Sequence, residues 1–179
     1  MSNQEVVLNA ALPLFLRYGY RKTSMEDVAR ASGFSRQSIY TWYPNKKKLF
    51  ISVVRHTFQN IQKSYTFALS DSSKNIHERI VDAFAHFTGF VVNSDASMSS
   101  MDELVGVAFS YLGEFIVEFE QDFVSSIASL LHEQRGHTPI QQAHVLLAVS
   151  RGLKYSITSM EEYRSTMLIA IDLLLNPQT

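Results

Sequence analysis

The sequence predicts an all-α protein, and three observations carry that expectation. Four boxes stand directly before apolar-periodic runs: Ser24 with Asp27, Ser100 with Glu103, Thr138 with Gln141 and Ser159 with Glu162. In each, a hydroxyl can accept from an N–H of the first helical turn while the side chain three residues on bonds back. Gly19, Gly33 and Gly136 fall where such runs stop, and glycine closes helices because it accepts left-handed backbone. No Asn-Gly or Asp-Gly hairpin and no sustained polar/apolar alternation marks a strand.

In order, the pattern gives about nine helices. The first, over 4–18, rests on the stripe Leu8, Leu12, Phe15 and contains Pro13, which removes a backbone bond and predicts a bend. Helices over 25–31 and 36–42 follow the caps Ser24 and Ser35, and one over 46–69 follows Asn45. The next three, over 76–93, 101–118 and 120–134, are rich in rings at helical spacing, with polar loops at Ser70–Lys74 and Asn93–Ser100. The last two, over 139–156 and 160–175, follow the Thr138 and Ser159 boxes. Two domains are expected, 1–50 and 51–179.

An apolar fraction of 46% in 179 residues supplies a core. The absence of cysteine removes disulfides, thiolate metal sites and cysteine nucleophiles together. No basic-then-apolar leader opens the chain, and the greasy run Met167–Leu175 is too short to span a bilayer, so a cytoplasmic protein with no membrane partner is expected. The net charge of −1 hides an asymmetry. Residues 1–65 hold ten Lys/Arg against three acids, +7, and the remainder is −8. A basic head on an acidic body suits a polyanionic partner at one end.

Within that head, residues 24–43 read SMEDVARASGFSRQSIYTWY. Val28 and Ala29 begin an inward face, Ala31 allows close crossing, Gly33 turns the chain, and Ile39 of a second short helix points back to the core. This is the pattern of a helix-turn-helix, whose second helix enters the major groove of double-stranded DNA. Its outward positions hold Arg36, Gln37, Ser38, Tyr40 and Thr41. Arg can fork onto guanine, Gln onto adenine, and the Thr methyl can meet thymine. Lys46, Lys47 and Lys48 then crowd the first turn of the next helix, where the helix dipole disfavours cations. A phosphate docked at that N-terminus would remove the misfit. Thr23 and Ser24, opening the helix before, could hold a second phosphate in the same way.

Those residues resemble the DNA-binding domain of the TetR family. The resemblance runs through Gly19-Tyr20, Thr23-Ser24-Met25-Glu26-Asp27-Val28-Ala29, Ala31-Ser32-Gly33-Phe34-Ser35 and Ile39-Tyr40-x-Trp42-Tyr43-Pro44-Asn45-Lys46-x-x-Leu49. It implies that Arg36, Gln37, Ser38 and Thr41 face bases and that Thr23, Tyr40, Trp42 and Lys46 face phosphates. Trp42 stands where the family usually has Tyr or His, and Tyr43 where it usually has Phe. The resemblance further implies a homodimer formed through the last two helices and an effector cavity in the body.

The sequence supports the dimer independently. Leu146, Val149 and Leu153 form one stripe and Met167, Ile171 and Leu174 another, while Leu168, Ile169 and Leu175 make the last helix apolar nearly all round, a pattern that asks for cover on two sides. For a small apolar effector, the candidates are the rings Phe87, Phe109, Tyr111 and Phe115, with His86 and Glu114 as orienting polar groups. The function expected is that of a repressor released from its operator by such a molecule, with no cofactor and no metal. Two alternatives remain: a ligand-independent DNA binder controlled by a protein partner, and a helical enzyme. Against the enzyme, Glu114 with Glu118, and His132, Glu133 and His137, match no catalytic or zinc spacing.

Overall fold

A computed structural model describes residues 2–92, 98–132, 137–153, 156–157 and 159–175. Eight helices form among the described residues: α1 Asn3–Lys22, α2 Met25–Ser32, α3 Arg36–Trp42, α4 Lys46–Ser70, α5 Ile76–Val92, α6 Met98–Ala128, α7 Pro139–Leu153 and α8 Met160–Leu175. None of them is long and apolar enough to cross a membrane. Gly136, expected to end a helix, lies outside the described residues, as do residues 93–97 of the loop expected over 93–100, whose last three residues instead open α6.

Three of the four expected boxes cap helices. Ser24 and Asp27 bond reciprocally at α2, Thr138 and Gln141 do so at α7, and Ser159 accepts from the Glu162 N–H at α8. Ser2 with Glu5 and Asn75 with Glu78 add two more at α1 and α5. The Ser100–Glu103 pair is the exception. Because α6 already begins at Met98, Ser100 stands inside it and Glu103 turns to α1, where it accepts from the Arg21 N–H at 3.0 Å.

One expectation about a helix break, near Phe119, is corrected. The separate helices at 101–118 and 120–134 are one element to Ala128, since neither Pro nor Gly stands at Phe119, which is buried mid-helix. The departure from helical geometry falls instead at Leu112 (φ −140°, ψ 24°), beside Gly113. In α1, helical dihedrals run through Pro13, whose side chain faces solvent, and the departure comes at Gly19 (φ 80°, ψ 170°).

The chain divides into two compact units, Met1–Gln59 with Asp95–Ile116, and Asn60–Ser94 with Val117–Thr179. The first closes over Val7, Ala11, Phe15, Val28, Ile39, Leu49, Phe50 and Leu104. Tyr20 packs edge-on against Phe50 and Tyr111; burial, and then the Tyr111 hydroxyl, push its phenol up to about 12. In the second unit Phe123 sits against Tyr65, Phe84 and Phe87, and α8 packs on α5 and α7. A buried chain of hydroxyls joins these helices: Thr88 to Ser150 at 2.7 Å, and Ser150 to Tyr163 at 2.7 Å. The Tyr163 hydroxyl also donates to the Phe84 carbonyl. Burial works to raise the Asp82 pKa, but Lys74 and Arg164 outweigh it and hold the carboxyl below its ordinary value.

The residues of the two expected stripes differ in burial within the single chain. Leu146, Met167 and Ile171 are fully buried inside the chain's own second unit, while Val149, Leu153 and Leu174 are half-buried. The large apolar residues left exposed on these two helices are Ile140 and Val145 on α7 and Leu168, Ile169 and Leu173 on α8, the last two 60% and 69% exposed.

Candidate nucleic-acid interface

α2 and α3 are short, and local chemistry fixes both ends of each. Ser24 caps α2, and its hydroxyl, followed by its backbone N–H, holds the Asp27 carboxyl below the ordinary range. Gly33 closes α2 in the left-handed region (φ 75°, ψ 9°), its N–H bonding the Ala29 carbonyl. A side chain there would strain the turn. Two residues on, the Ser35 hydroxyl accepts from the Ser38 N–H and starts α3. Ile39 and Tyr43 are buried and anchor α3 to the core, and Trp42 packs edge-on against Phe34 at 5.3 Å.

The outward face of α3 presents Arg36, Gln37, Tyr40 and Thr41 to solvent, with Ser38 half-buried. Nη1 of Arg36 donates to Glu26 on α2 at 3.0 Å, and its guanidinium carbon lies 5.9 Å from the centre of the Tyr40 ring. The Thr41 hydroxyl donates to the Gln37 carbonyl at 2.9 Å. The Ser38 hydroxyl pairs with that of Ser35. An open cleft of about 430 Å³ runs beside this face, lined among others by Arg21, Ser24, Glu26, Arg36, Tyr40 and Lys46.

The end of α1, which sets where α2 begins, is clasped from three directions. Thr23 is 1% exposed and its hydroxyl donates to the Gly19 carbonyl at 2.8 Å, with the Leu14 carbonyl at 3.2 Å. Nζ of Lys46 donates to the carbonyls of Tyr20, Arg21 and Thr23 at 3.0, 3.2 and 3.1 Å and stands 4.6 Å over the Tyr20 ring. Glu103 takes the Arg21 N–H. The Thr23 hydroxyl is thus engaged by carbonyls, and the Lys46 ammonium stands at the negative end of α1. Trp42 is half-buried against Phe34, whereas Ser24 and Tyr40 are exposed. Lys47, 4.3 Å over the Tyr111 ring, and Lys48 are the exposed cations at the start of α4, which Asn45 caps through the Lys48 N–H.

Glu26 and Glu103 were missed in the sequence. Glu26 could have been flagged as one of three acids in a basic head; Glu103 carried no signal beyond the box it does not form. The six residues expected around an effector divide between the units. His86 is exposed, and Phe87 stacks on Phe123 and Phe119 in the second. In the first, Phe109 and Glu114 are exposed, Tyr111 packs on Tyr20 and Phe50, and Phe115 lies against Phe58 and under Arg55.

A capped helix, a left-handed glycine turn and a second helix with polar forks on its outer face define a helix-turn-helix DNA-binding protein. Comparison with known proteins agrees. Residues 7–53 match the profile of the bacterial regulatory proteins of the tetR family, so this segment is similar to the DNA-binding domain of those transcriptional regulators. It is 23% identical over 133 residues to the uncharacterized HTH-type transcriptional regulator YhgD of Bacillus subtilis, covering 74% of this chain and 69% of that one. The fold resembles that of a TetR-family regulator from Rhodococcus (TM-score 0.74, 18% identity, 97% and 98% of the two chains). It also resembles AibR, solved with isovaleryl coenzyme A and operator DNA (TM-score 0.68, 16% identity, 99% and 100%).

Proposed function

We propose that the chain is a sequence-specific, homodimeric repressor of the cytoplasm. In this reading α3 lies in the major groove with Arg36, Gln37, Ser38 and Thr41 towards base edges, while Ser24, Tyr40, Lys47 and Lys48 meet phosphates. The observation that carries it is the outer face of α3, where fork-shaped and methyl-bearing side chains stand exposed on a helix anchored by Ile39. Lys46 acts indirectly, by fixing the end of α1.

These roles separate in measurement. Arg36→Ala should lower the preference for one base pair by about 1–3 kcal/mol while leaving binding to unrelated duplexes nearly unchanged. Equal weakening on all duplexes would remove Arg36 from base reading. Lys47→Ala should weaken every duplex and reduce the slope of log affinity against log salt by about 1. Lys46→Ala should instead lower the melting temperature, since charge-assisted bonds of this kind contribute about 1.5–3 kcal/mol each when one partner is an ion. An unchanged melting temperature would return Lys46 to the phosphate contacts.

Release by a small, largely apolar effector completes the proposal. Its support is that AibR, a protein of the same fold, is seen with both an acyl thioester and operator DNA, together with the rings of α5 and α6. Such a molecule releases DNA only by binding better to dimers that do not fit the operator. Mass spectrometry of ligand carried through purification, followed by titration of that ligand into the protein–DNA complex, tests it. A ligand that binds without changing DNA affinity would contradict release.

A further inference from the structure

Arg36, the first residue of α3, is held on two sides, by the Glu26 carboxylate at 3.0 Å and by the face of Tyr40. Glu26 is the second residue of α2, where the positive end of the helix favours its charge. Both members of the pair are more than half exposed, 58% and 57%, and exposed ion pairs contribute little to stability. A carboxylate on a surface that meets phosphates also weakens binding to every duplex, because the dominant attraction there is electrostatic. Neither stability nor general affinity therefore accounts for this contact. What it changes is the freedom of Arg36. An unrestrained arginine reaches phosphate oxygens, which carry no sequence information. One fixed at Nη1 and by its face keeps its planar fork in a set orientation.

We infer that Glu26 is a specificity-determining positioning residue: it holds the Arg36 guanidinium for a base edge, so that the bound site contains a G·C pair that Glu26 selects without touching it. This rests on α3 being the base-reading helix. In the same act Glu26 keeps Arg36 away from the backbone, so sequence-blind binding is weaker with it than without it.

The test uses the full-length protein. Duplexes enriched from a randomised pool give a reference duplex, and a second duplex carries A·T in place of the G·C pair most sensitive to Arg36→Ala. Wild type, Glu26→Ala, Glu26→Gln, Arg36→Ala and the double variant are titrated against both, and melting curves follow the fold of each. Glu26→Ala should lower the ratio of the two affinities about tenfold, within the range of one bidentate contact, and should raise affinity for the A·T duplex. Glu26→Gln, which keeps an acceptor oxygen, should retain part of the ratio. In the Arg36→Ala background, Glu26→Ala should change the ratio no further. A ratio untouched by Glu26→Ala, or an equal loss in the Arg36→Ala background, overturns the inference while leaving α3 as the reading helix. If no G·C pair responds to Arg36→Ala, the reading of α3 fails and the role of Glu26 with it.

Discussion

Leu173→Glu combined with Ile169→Glu is expected to yield a folded monomer whose affinity for an operator-length duplex is about a hundredfold or more below that of the wild type. Both side chains are exposed in the single chain, so their replacement removes no contact from its core. Burying a leucine or isoleucine contributes about 1.5–3 kcal/mol, and a two-fold interface counts each residue twice. A carboxylate in its place must be desolvated without a partner. The loss in DNA affinity follows from linkage of the two heads: once one is bound, the other binds at high effective concentration, which contributes about 10²–10⁴-fold. Light scattering reads the mass and a gel-shift titration the affinity. A variant that remains dimeric would place the interface elsewhere than on this face of α8.

Gly19→Ala is expected to destabilise the first unit by about 1–3 kcal/mol through backbone strain alone, because φ 80°, ψ 170° lies in a region reserved almost wholly for glycine. The added Cβ would also run into Oε2 of Glu103. That carboxylate is the end of a flexible side chain and can move, but moving it gives up the bond to the Arg21 N–H. The two contributions separate in a cycle with Glu103→Ala, in which the collision is absent and the strain remains. Urea unfolding measures both, and a shift below about 0.5 kcal/mol, the size of an ordinary surface substitution, would mean that the turn relaxes.

The helix-turn-helix was legible because its chemistry is local. Ser24, Asp27, Gly33 and Ser35 act within a few residues of their own positions, and the structure places them as caps and turn. Contacts between distant segments were not legible. Lys46 finds its carbonyl partners more than twenty residues upstream, and Glu103 reaches back 82 residues, so both were assigned to the nearest available role. The last helix shows a different limit. Apolar residues on both sides of α8 announce two buried faces, but periodicity does not tell which face turns inward. Tyr163, Met167 and Ile171 pack against the chain's own helices, and Ile169 and Leu173 are left outside. The break expected near Phe119 failed for a related reason: a change in composition is weaker than the absence of any residue that stops a helix. Helical spacing likewise does not tell which ring a given ring meets: Phe87 stacks on Phe123, and Tyr111 lies edge-on to Phe50.

Sequencing the duplexes that the full-length protein enriches from a randomised pool at low salt tests paired groove reading most directly. Two symmetric heads require an inverted repeat whose half-sites are centred about 34–36 Å apart or a multiple of that spacing. Enrichment of no sequence, or of single asymmetric sites each occupied by one chain, would contradict it.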